Sequence, residues 1–306
     1  MTEKFTRTAY PVQIFIFLAI TSGCFILYLG ATAVIMYLSA GGNIADLSSL
    51  LYNPRYIDII KLIQSLSSVM IFMLPAFIFS LLADHRPAQY LGFTSRKISY
   101  IHIVLVLLIM VACLPFVGLT GQWNEAIHLP QFMNGLEKWM RDTDAEAGRQ
   151  TKYLLMMKGS KELVLNLVMI ALLPAISEEL FFRGVMQRLL IKWSGKVNTG
   201  IIITAIIFSA LHFQFLGFLP RMFLGIILGY IYALSGSIWL SMLAHFFNNG
   251  LQVVMLYLFQ IKVIHYDVMK DQPTPLLAGI ISLLLLIALF IVFRKFTERK
   301  RPGTLF

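Results

Sequence analysis

The stretch AISEELFFRG, residues 175–184, decides how the rest of the chain is interpreted. It places Glu178, Glu179 and Arg183 next to an apolar run that carries no charge from residue 163 to residue 177. A helix of about 15 residues covers roughly 22 Å, whereas the hydrocarbon core of a bilayer is about 30 Å thick. A helix that enters the bilayer near Lys161 therefore reaches both glutamates at membrane depth, where carboxylates are costly and usually mark function.

The composition indicates an integral membrane protein. Of the 306 residues, 58% are hydrophobic and only 13% are charged, whereas a soluble domain carries about 25% charged residues. The net charge of +10 does not indicate a nucleic-acid partner, because no basic run lies in a soluble domain. The basic residues lie in loops, where they set topology and face anionic lipid. Cys24 and Cys113 lie in apolar runs and give no disulfide framework.

The apolar runs predict an all-α fold, a polytopic membrane bundle of about eight transmembrane helices that encloses a polar cavity within the membrane. We treat residues 1–306 as a single integral membrane domain, and we expect no internal repeat. The predicted spans are 11–38, 62–83, 98–119, 162–182, 197–217, 220–235, 238–259 and 276–293. The connection 121–161 predicts either an amphipathic segment on the bilayer surface or an ordinary extramembrane loop with a helix, and its length is typical of functional segments.

The distribution of basic residues predicts that both termini are cytoplasmic. Eight spans put both ends on one side of the membrane. The N-terminal tail, the connections between spans 2 and 3 and between spans 4 and 5, and the C-terminal tail are all short and basic, which is typical of the cytoplasmic side. The chain shows no organelle or retention signal, so we expect a multi-pass protein of a prokaryotic plasma membrane.

Polar side chains recur on three successive parts of the bundle, and the first set is Glu178, Glu179 and Arg183. Glu179 and Arg183 are four residues apart, so they share a helix face and can pair, while Glu178 points about 100° away. One carboxylate is then neutralised, and Glu178 is left over for general acid–base chemistry. The alternative is a buried ion network that only fixes helix packing.

The second and third sets lie on the fifth and seventh spans. His212 is the strongly polar side chain of the fifth span, and taken alone it also fits a satisfied structural histidine. His245 and Asn249 share a face of the seventh span, and taken alone they also fit interhelical hydrogen bonding. Gly225 and Gly229 on the sixth span have GxxxG spacing, which we interpret as close helix packing within this chain.

Taken together, these side chains supply what amide hydrolysis needs, because polar groups in lipid face inward and meet one another. Glu178 and His212 can hold and deprotonate a water molecule. His245 and Asn249 can donate hydrogen bonds to the oxyanion that develops on the attacked carbonyl. The same set could instead ligate zinc through Glu178, His212 and His245.

The motifs EExxxR, FxxxH and HxxxN, in this order on successive helices, resemble those of the CAAX protease and bacteriocin-processing (CPBP, Abi) family of intramembrane proteases, also called type II CAAX prenyl endopeptidases. The matching region is residues 160–259, which we take as the catalytic core. The resemblance implies an intramembrane (metallo)endopeptidase that cuts peptide bonds near the cytoplasmic membrane face. It implies that Glu178 activates a water with His212 and that His245 and Asn249 form the oxyanion site. Glu179 and Arg183 would support the first helix.

The mechanism implied by the resemblance has two forms. The family is named as metalloproteases, yet a metal-free glutamate mechanism is also argued for it, and one glutamate with two histidines satisfies either. We favour a water held by Glu178 and His212 without tightly bound zinc. Because both forms fit the sequence, we expect either no cofactor or a divalent metal such as zinc.

The expected partners are the lipid bilayer and a peptide or lipid-anchored protein substrate. Two other functions are compatible with the sequence. One is a non-catalytic immunity or scaffold protein that keeps the protease fold. The other is an ion or small-molecule transporter, since charged groups at membrane depth also mark transport.

Overall fold

The computed structural model describes residues 8–41, 56–93, 98–265 and 273–298, and within these ranges the chain forms helices and no strands. The main helices are α1 (Tyr10–Ser39), α2 (Ile57–Ala83), α3 (Tyr100–Glu125), α4 (Asn134–Leu154), α5 (Ser160–Ser194), α6 (Val197–Ala210), α7 (Phe218–Ser235), α8 (Ile238–Gln260) and α9 (Leu276–Glu298). Seven stretches of the described residues are helical, long and apolar enough to cross a membrane, and α6 is a shorter apolar helix. The predicted helical membrane bundle is confirmed, and the protein is a multi-pass membrane protein.

Helix α5, which carries the three charged residues of the first motif, is longer than predicted. We expected it to end near residue 182, but it continues to Ser194 and gives way to Gly195, which has a left-handed φ of 67°. At about 1.5 Å per residue its 35 residues span roughly 50 Å. The motif therefore lies in the middle of a continuous helix rather than at its end.

Helix α6 is shorter than predicted, and His212 lies in the turn after it rather than on the helix. The carbonyl of Phe208 accepts a hydrogen bond from Nδ1 of His212 at 2.7 Å, in place of the backbone N–H of His212. That N–H bonds to the Ser209 carbonyl instead, and Phe213 then has a φ of 52°. The imidazole thus caps the last turn, and the left-handed residue turns the chain away from the helix axis.

Helices α2 and α5 contain similar short sequences, VMIFMLPA at 69–76 and VMIALLPA at 168–175, which are identical at six of eight positions. In each helix a π-helical segment, Ser68–Met73 or Leu167–Leu172, runs up to the Leu-Pro pair. Proline has no N–H for the carbonyl four residues earlier, so the ladder of hydrogen bonds is interrupted at this point. The two helices therefore carry the same kind of local interruption. The two helices pack side by side in the same direction.

Small residues bring α6 and α7 close together beneath the site. An added Cβ on Gly225 would lie 3.1 Å from Cβ of Ala205, and one on Gly229 would lie 2.8 Å from Cγ2 of Ile201. The GxxxG pair thus packs against a helix of the same chain, as expected.

Helix α4 forms the middle of the predicted connection 121–161 and lies outside the apolar spans. Glu137 ties its first turn to the preceding loop, because its Oε2 accepts from the backbone N–H of Leu129 at 2.9 Å and its Oε1 contacts His128 and Arg141, each at 2.9 Å. These bonds, the Leu129 N–H first, lower the pKa of Glu137 to about 2. The carboxylate therefore stays ionised at neutral pH, and the contact persists.

The same helix also contacts the turn that follows His212. Oδ2 of Asp144 accepts from the backbone N–H of Leu216 at 2.9 Å, and the ring of Trp139 lies 5.3 Å from that of Phe215. The extramembrane helix is thereby attached to the segment that carries one of the candidate site residues.

Gly200→Ala should destabilise the bundle, because its Cβ would lie 2.7 Å from the backbone nitrogen of Ile191, where α5 and α6 pack. Overpacking of this kind costs about 1–3 kcal/mol. Thermal unfolding of the detergent-purified protein measures the effect. Gly23→Ala is the matched control, since nothing lies within 4 Å of its Cβ. Equal unfolding midpoints for the two variants would contradict this account of the packing.

Candidate active site

The centre of the site is the carboxylate of Glu179, which is fully buried and bonded at both oxygens. Oε1 accepts from Nη1 of Arg183 at 2.8 Å and from Nδ1 of His245 at 2.9 Å. Oε2 accepts from the hydroxyl of Ser241. The buried ion network considered as an alternative use of the first motif therefore exists, and it is built on Glu179 and Arg183 rather than on Glu178.

Arg183 extends this network from α5 to α7. Its side chain is fully buried, its Nη2 donates to the carbonyl of Gly225 at 3.0 Å, and its guanidinium lies 5.1 Å from the centroid of the Phe208 ring. One turn further on, Nε2 of Gln187 donates to the carbonyl of Gly229 at 3.1 Å. Two successive turns of α5 are thus bonded to the two glycine carbonyls of α7.

Glu178 points into a different environment from its neighbour. Its Oε2 has no hydrogen-bond partner within the described part of the chain, and it lies 3.9 Å from Nε2 of His245. The side chain is 12% exposed. The motif thus places a fully hydrogen-bonded carboxylate next to one whose Oε2 has no hydrogen bond among the described residues.

In each of the two histidines, His212 and His245, Nδ1 forms a hydrogen bond with the protein and Nε2 remains available. Nδ1 of His212 donates to the carbonyl of Phe208, which leaves Nε2 as an acceptor in the neutral ring. Nδ1 of His245 bonds to Glu179, which leaves Nε2 on the side of Glu178. The partner of Nδ1 fixes both the tautomer and the ring orientation.

The side chain of Asn249 is held by a backbone carbonyl of α5 that a proline leaves without its usual N–H partner. Pro174 has no N–H to give to the carbonyl of Ile170, and Nδ2 of Asn249 donates to that carbonyl at 3.2 Å. Oδ1 of Asn249 accepts from Nδ2 of Asn248 at 3.1 Å. An amide nitrogen carries two hydrogens, so one N–H of Asn249 remains available.

Glu178, His212, His245 and Asn249 all line one cavity of about 510 Å³. This volume lies within the usual range for ligand sites, about 300–1,000 Å³. The wall is largely apolar, and its further polar side chains come from five parts of the chain. These are Gln64, Thr151, Gln214, Arg221, Asn248 and Gln252. The structure thus brings the four predicted residues to one space, and their catalytic roles stay predictions.

The sequence analysis missed two residues that shape the site. Ser241 bonds to Glu179 and lies one turn before His245 on α8, so the four-residue spacing was a usable signal. Phe208 was present in the FxxxH motif, but only its spacing was used. Its ring centroid lies 5.0 Å from the His212 ring and 6.1 Å from the His245 ring. It forms an apolar wall between the two imidazoles.

The donor set does not form a metal site in this arrangement. Over the described ranges, no three His, Cys, Asp or Glu side chains are placed so that they could hold one ion. The proposed zinc ligands Glu178, His212 and His245 share the cavity without forming such a group. The mechanism that we propose therefore contains no step that uses a metal ion.

Arg183→Ala should destabilise the protein strongly, because it leaves the buried Glu179 carboxylate without its cation. Breaking a buried pair in this way costs about 3–5 kcal/mol. Arg149→Ala is the control, since Arg149 is 64% exposed and pairs with Glu146 at the surface, where such pairs contribute about 0–1 kcal/mol. Denaturant unfolding in detergent compares the two variants. A loss no larger for Arg183→Ala than for Arg149→Ala would refute the central role of this pair.

Comparison with known proteins gives a matching family model and a curated relative. Residues 160–251 match the family model described as type II CAAX prenyl endopeptidase Rce1-like, and this range contains all the predicted site residues. The predicted resemblance to this family of endopeptidases is confirmed over these residues. A stretch of 91 residues is 32% identical to the uncharacterized protein YpbD of Bacillus subtilis (strain 168) and covers 28% of this chain. The chain spans 43% of the length of that relative. No solved structure matches the chain.

Proposed function

We propose that this protein is an intramembrane endopeptidase that hydrolyses peptide bonds of membrane-associated peptides or lipid-anchored proteins. The observation that carries the proposal is the Glu178 carboxylate, whose Oε2 has no hydrogen-bond partner among the described residues, in a cavity that His212, His245 and Asn249 also line. The similarity of residues 160–251 to type II CAAX prenyl endopeptidases supports the same reaction class. We infer that residues 160–259 are the catalytic core of one membrane domain formed by residues 1–306.

In this mechanism Glu178 is the general base. Its carboxylate accepts a proton from a water molecule in the cavity while the water oxygen attacks the carbonyl carbon of the substrate. His212 positions the water, because it lines the same cavity and its Nε2 remains as an acceptor while Nδ1 donates to the carbonyl of Phe208. The proton on Glu178 then passes to the leaving nitrogen as the C–N bond breaks, which gives a carboxylic acid and an amine and restores the Glu178 carboxylate.

The oxyanion that forms during attack needs hydrogen-bond donors. The second N–H of Asn249 is one such donor, and the first N–H holds the side chain in place through Ile170. Nε2 of His245 can donate only when the ring is protonated on both nitrogens, since Nδ1 already donates to Glu179.

The zinc-dependent version of the same peptidase and the non-catalytic immunity or scaffold protein are the competing functions. Metal content and chelator sensitivity of the active protein separate the two peptidase mechanisms. A complementation assay with Glu178→Gln and His212→Ala separates catalysis from a binding role, because only catalysis requires these side chains.

We further infer that the protein resides in a prokaryotic plasma membrane with both termini in the cytoplasm. The inference rests on the basic tails and connections. Several of the residues that carry it lie outside the described residues, namely Arg96, Lys97, Arg299, Lys300 and Arg301.

Glu178→Gln should abolish cleavage, because it removes the base and keeps the size of the side chain. We expect turnover to fall about 10²–10⁴-fold. The assay uses protein in liposomes with a library of palmitoylated peptides, and products are identified by mass spectrometry. Circular dichroism and the unfolding midpoint check that the fold is intact. Unchanged cleavage by this variant would end the hypothesis of a Glu178-dependent peptidase.

Asn249→Ala should lower kcat about 10²–10³-fold with a smaller change in KM, because an oxyanion donor acts mainly in the transition state. Gln252→Ala is the matched control on the same helix and the same cavity wall, where Nε2 of Gln252 bonds only to the carbonyl of Asn248. We expect less than a tenfold effect for the control. Similar kcat values for the two variants would count against Asn249 as a donor.

A further inference from the structure

Arg221 is a charged side chain of the catalytic cavity that the mechanism does not use. Of the residues that line the cavity, it is the one with a permanent positive charge. Within the described ranges it forms no ion pair with a carboxylate. Its Nε has no hydrogen-bond partner there either. The cavity thus contains a guanidinium whose charge is not neutralised by direct contact.

The contacts that Arg221 does make are with neutral oxygens. Nη1 donates to Oε1 of Gln214, and Nη2 donates to the backbone carbonyl of Gln214. Asp144 is the acid whose charge acts on Arg221, but it makes no ion pair with it, and its Oδ2 accepts from the N–H of Leu216. An unpaired charge at a partly buried position is costly unless an opposite charge binds there.

The chain makes room for this guanidinium with a glycine. An added Cβ on Gly217 would lie 2.6 Å from Nη2 and 2.9 Å from Nη1 of Arg221. No side chain fits at residue 217 while the guanidinium keeps its position. Gln214 and Gly217 therefore hold Arg221 at the cavity from the turn that follows His212.

We propose that Arg221 binds a carboxylate of the peptide substrate, either the C-terminal α-carboxylate or an Asp or Glu side chain. This inference rests on the proposed peptidase function and names the charge that the substrate carries. A guanidinium is planar and matches a carboxylate with parallel hydrogen bonds. An acidic substrate entering the cavity would also be repelled by Glu178, and Arg221 is the group placed to offset that repulsion.

The test uses four forms of each palmitoylated peptide that wild-type protein cleaves. The peptides end in a free acid or a carboxamide, and each carries either Glu or Gln at one internal position. We expect kcat/KM to be about tenfold higher for a form with the recognised carboxylate, mainly through KM. The pair of forms that shows the preference identifies whether the carboxylate is C-terminal or internal.

Variants then assign the preference to Arg221. In Arg221→Gln the ratio of acidic to neutral kcat/KM should fall to about one, and Arg221→Lys should keep part of it because the charge remains. Gly217→Ala should also lower the ratio by displacing the guanidinium. Arg149→Gln, which removes an exposed surface charge, should keep the wild-type ratio. A loss of rate with an unchanged ratio in Arg221→Gln would show that Arg221 only holds the Gln214 turn.

Two results would overturn the proposal. One is equal cleavage of all four forms by wild-type protein. The other is the same acidic-to-neutral ratio in wild-type protein and Arg221→Gln. If no peptide is cleaved, the proposed peptidase function fails, and the carboxylate site is judged separately. The four forms, labelled with fluorescein, are then compared for binding to the wild-type protein, and equal Kd values for acidic and neutral forms would overturn the proposal.

Discussion

The site depends on one fully buried carboxylate, that of Glu179, and on the bonds that saturate it. Arg183 and Ser241 bind its two oxygens, and His245 shares the oxygen that Arg183 binds. Arg183 also donates a hydrogen bond to the carbonyl of Gly225, which links this network to α7. Separating these helices would leave a buried charge unpaired, which is strongly destabilising. The network therefore holds helices α5, α7 and α8 at fixed positions relative to one another.

This arrangement gives the two adjacent glutamates different surroundings. The 3.6-residue period turns Glu178 away from Glu179, so the first faces the cavity while the second stays in the dry interior. The network also orients the imidazole of His245. Its Nδ1 donates a hydrogen bond to Glu179, which leaves Nε2 on the side of Glu178. The buried ion pair of Glu179 and the proposed catalytic role of Glu178 are therefore compatible, because they involve different members of the motif.

Hydropathy and helical spacing predicted most of the fold and part of the site. The first span was placed at 11–38 and is found at Tyr10–Ser39, and the expected pair of Glu179 and Arg183 has an N–O distance of 2.8 Å. Both features follow from local periodicity, which the sequence displays directly. The end of α6 at Ala210 did not follow, because it depends on a bond from His212 to a backbone carbonyl. The contact of Asn249 with Ile170 likewise joins residues that are distant in sequence.

The π-helical segment at Leu167–Leu172 has a consequence for how the chain tolerates change. A π turn accommodates one residue more than an α turn, so every residue after it is rotated by about 100° relative to an uninterrupted helix. That angle is also the angle between neighbouring positions on a helix. If one residue were deleted from this segment and the π turn became an α turn, every later residue, Glu178 and Glu179 included, would keep the direction that it has now. The π turn can therefore absorb a one-residue change in helix length without changing which glutamate lines the cavity and which pairs with Arg183.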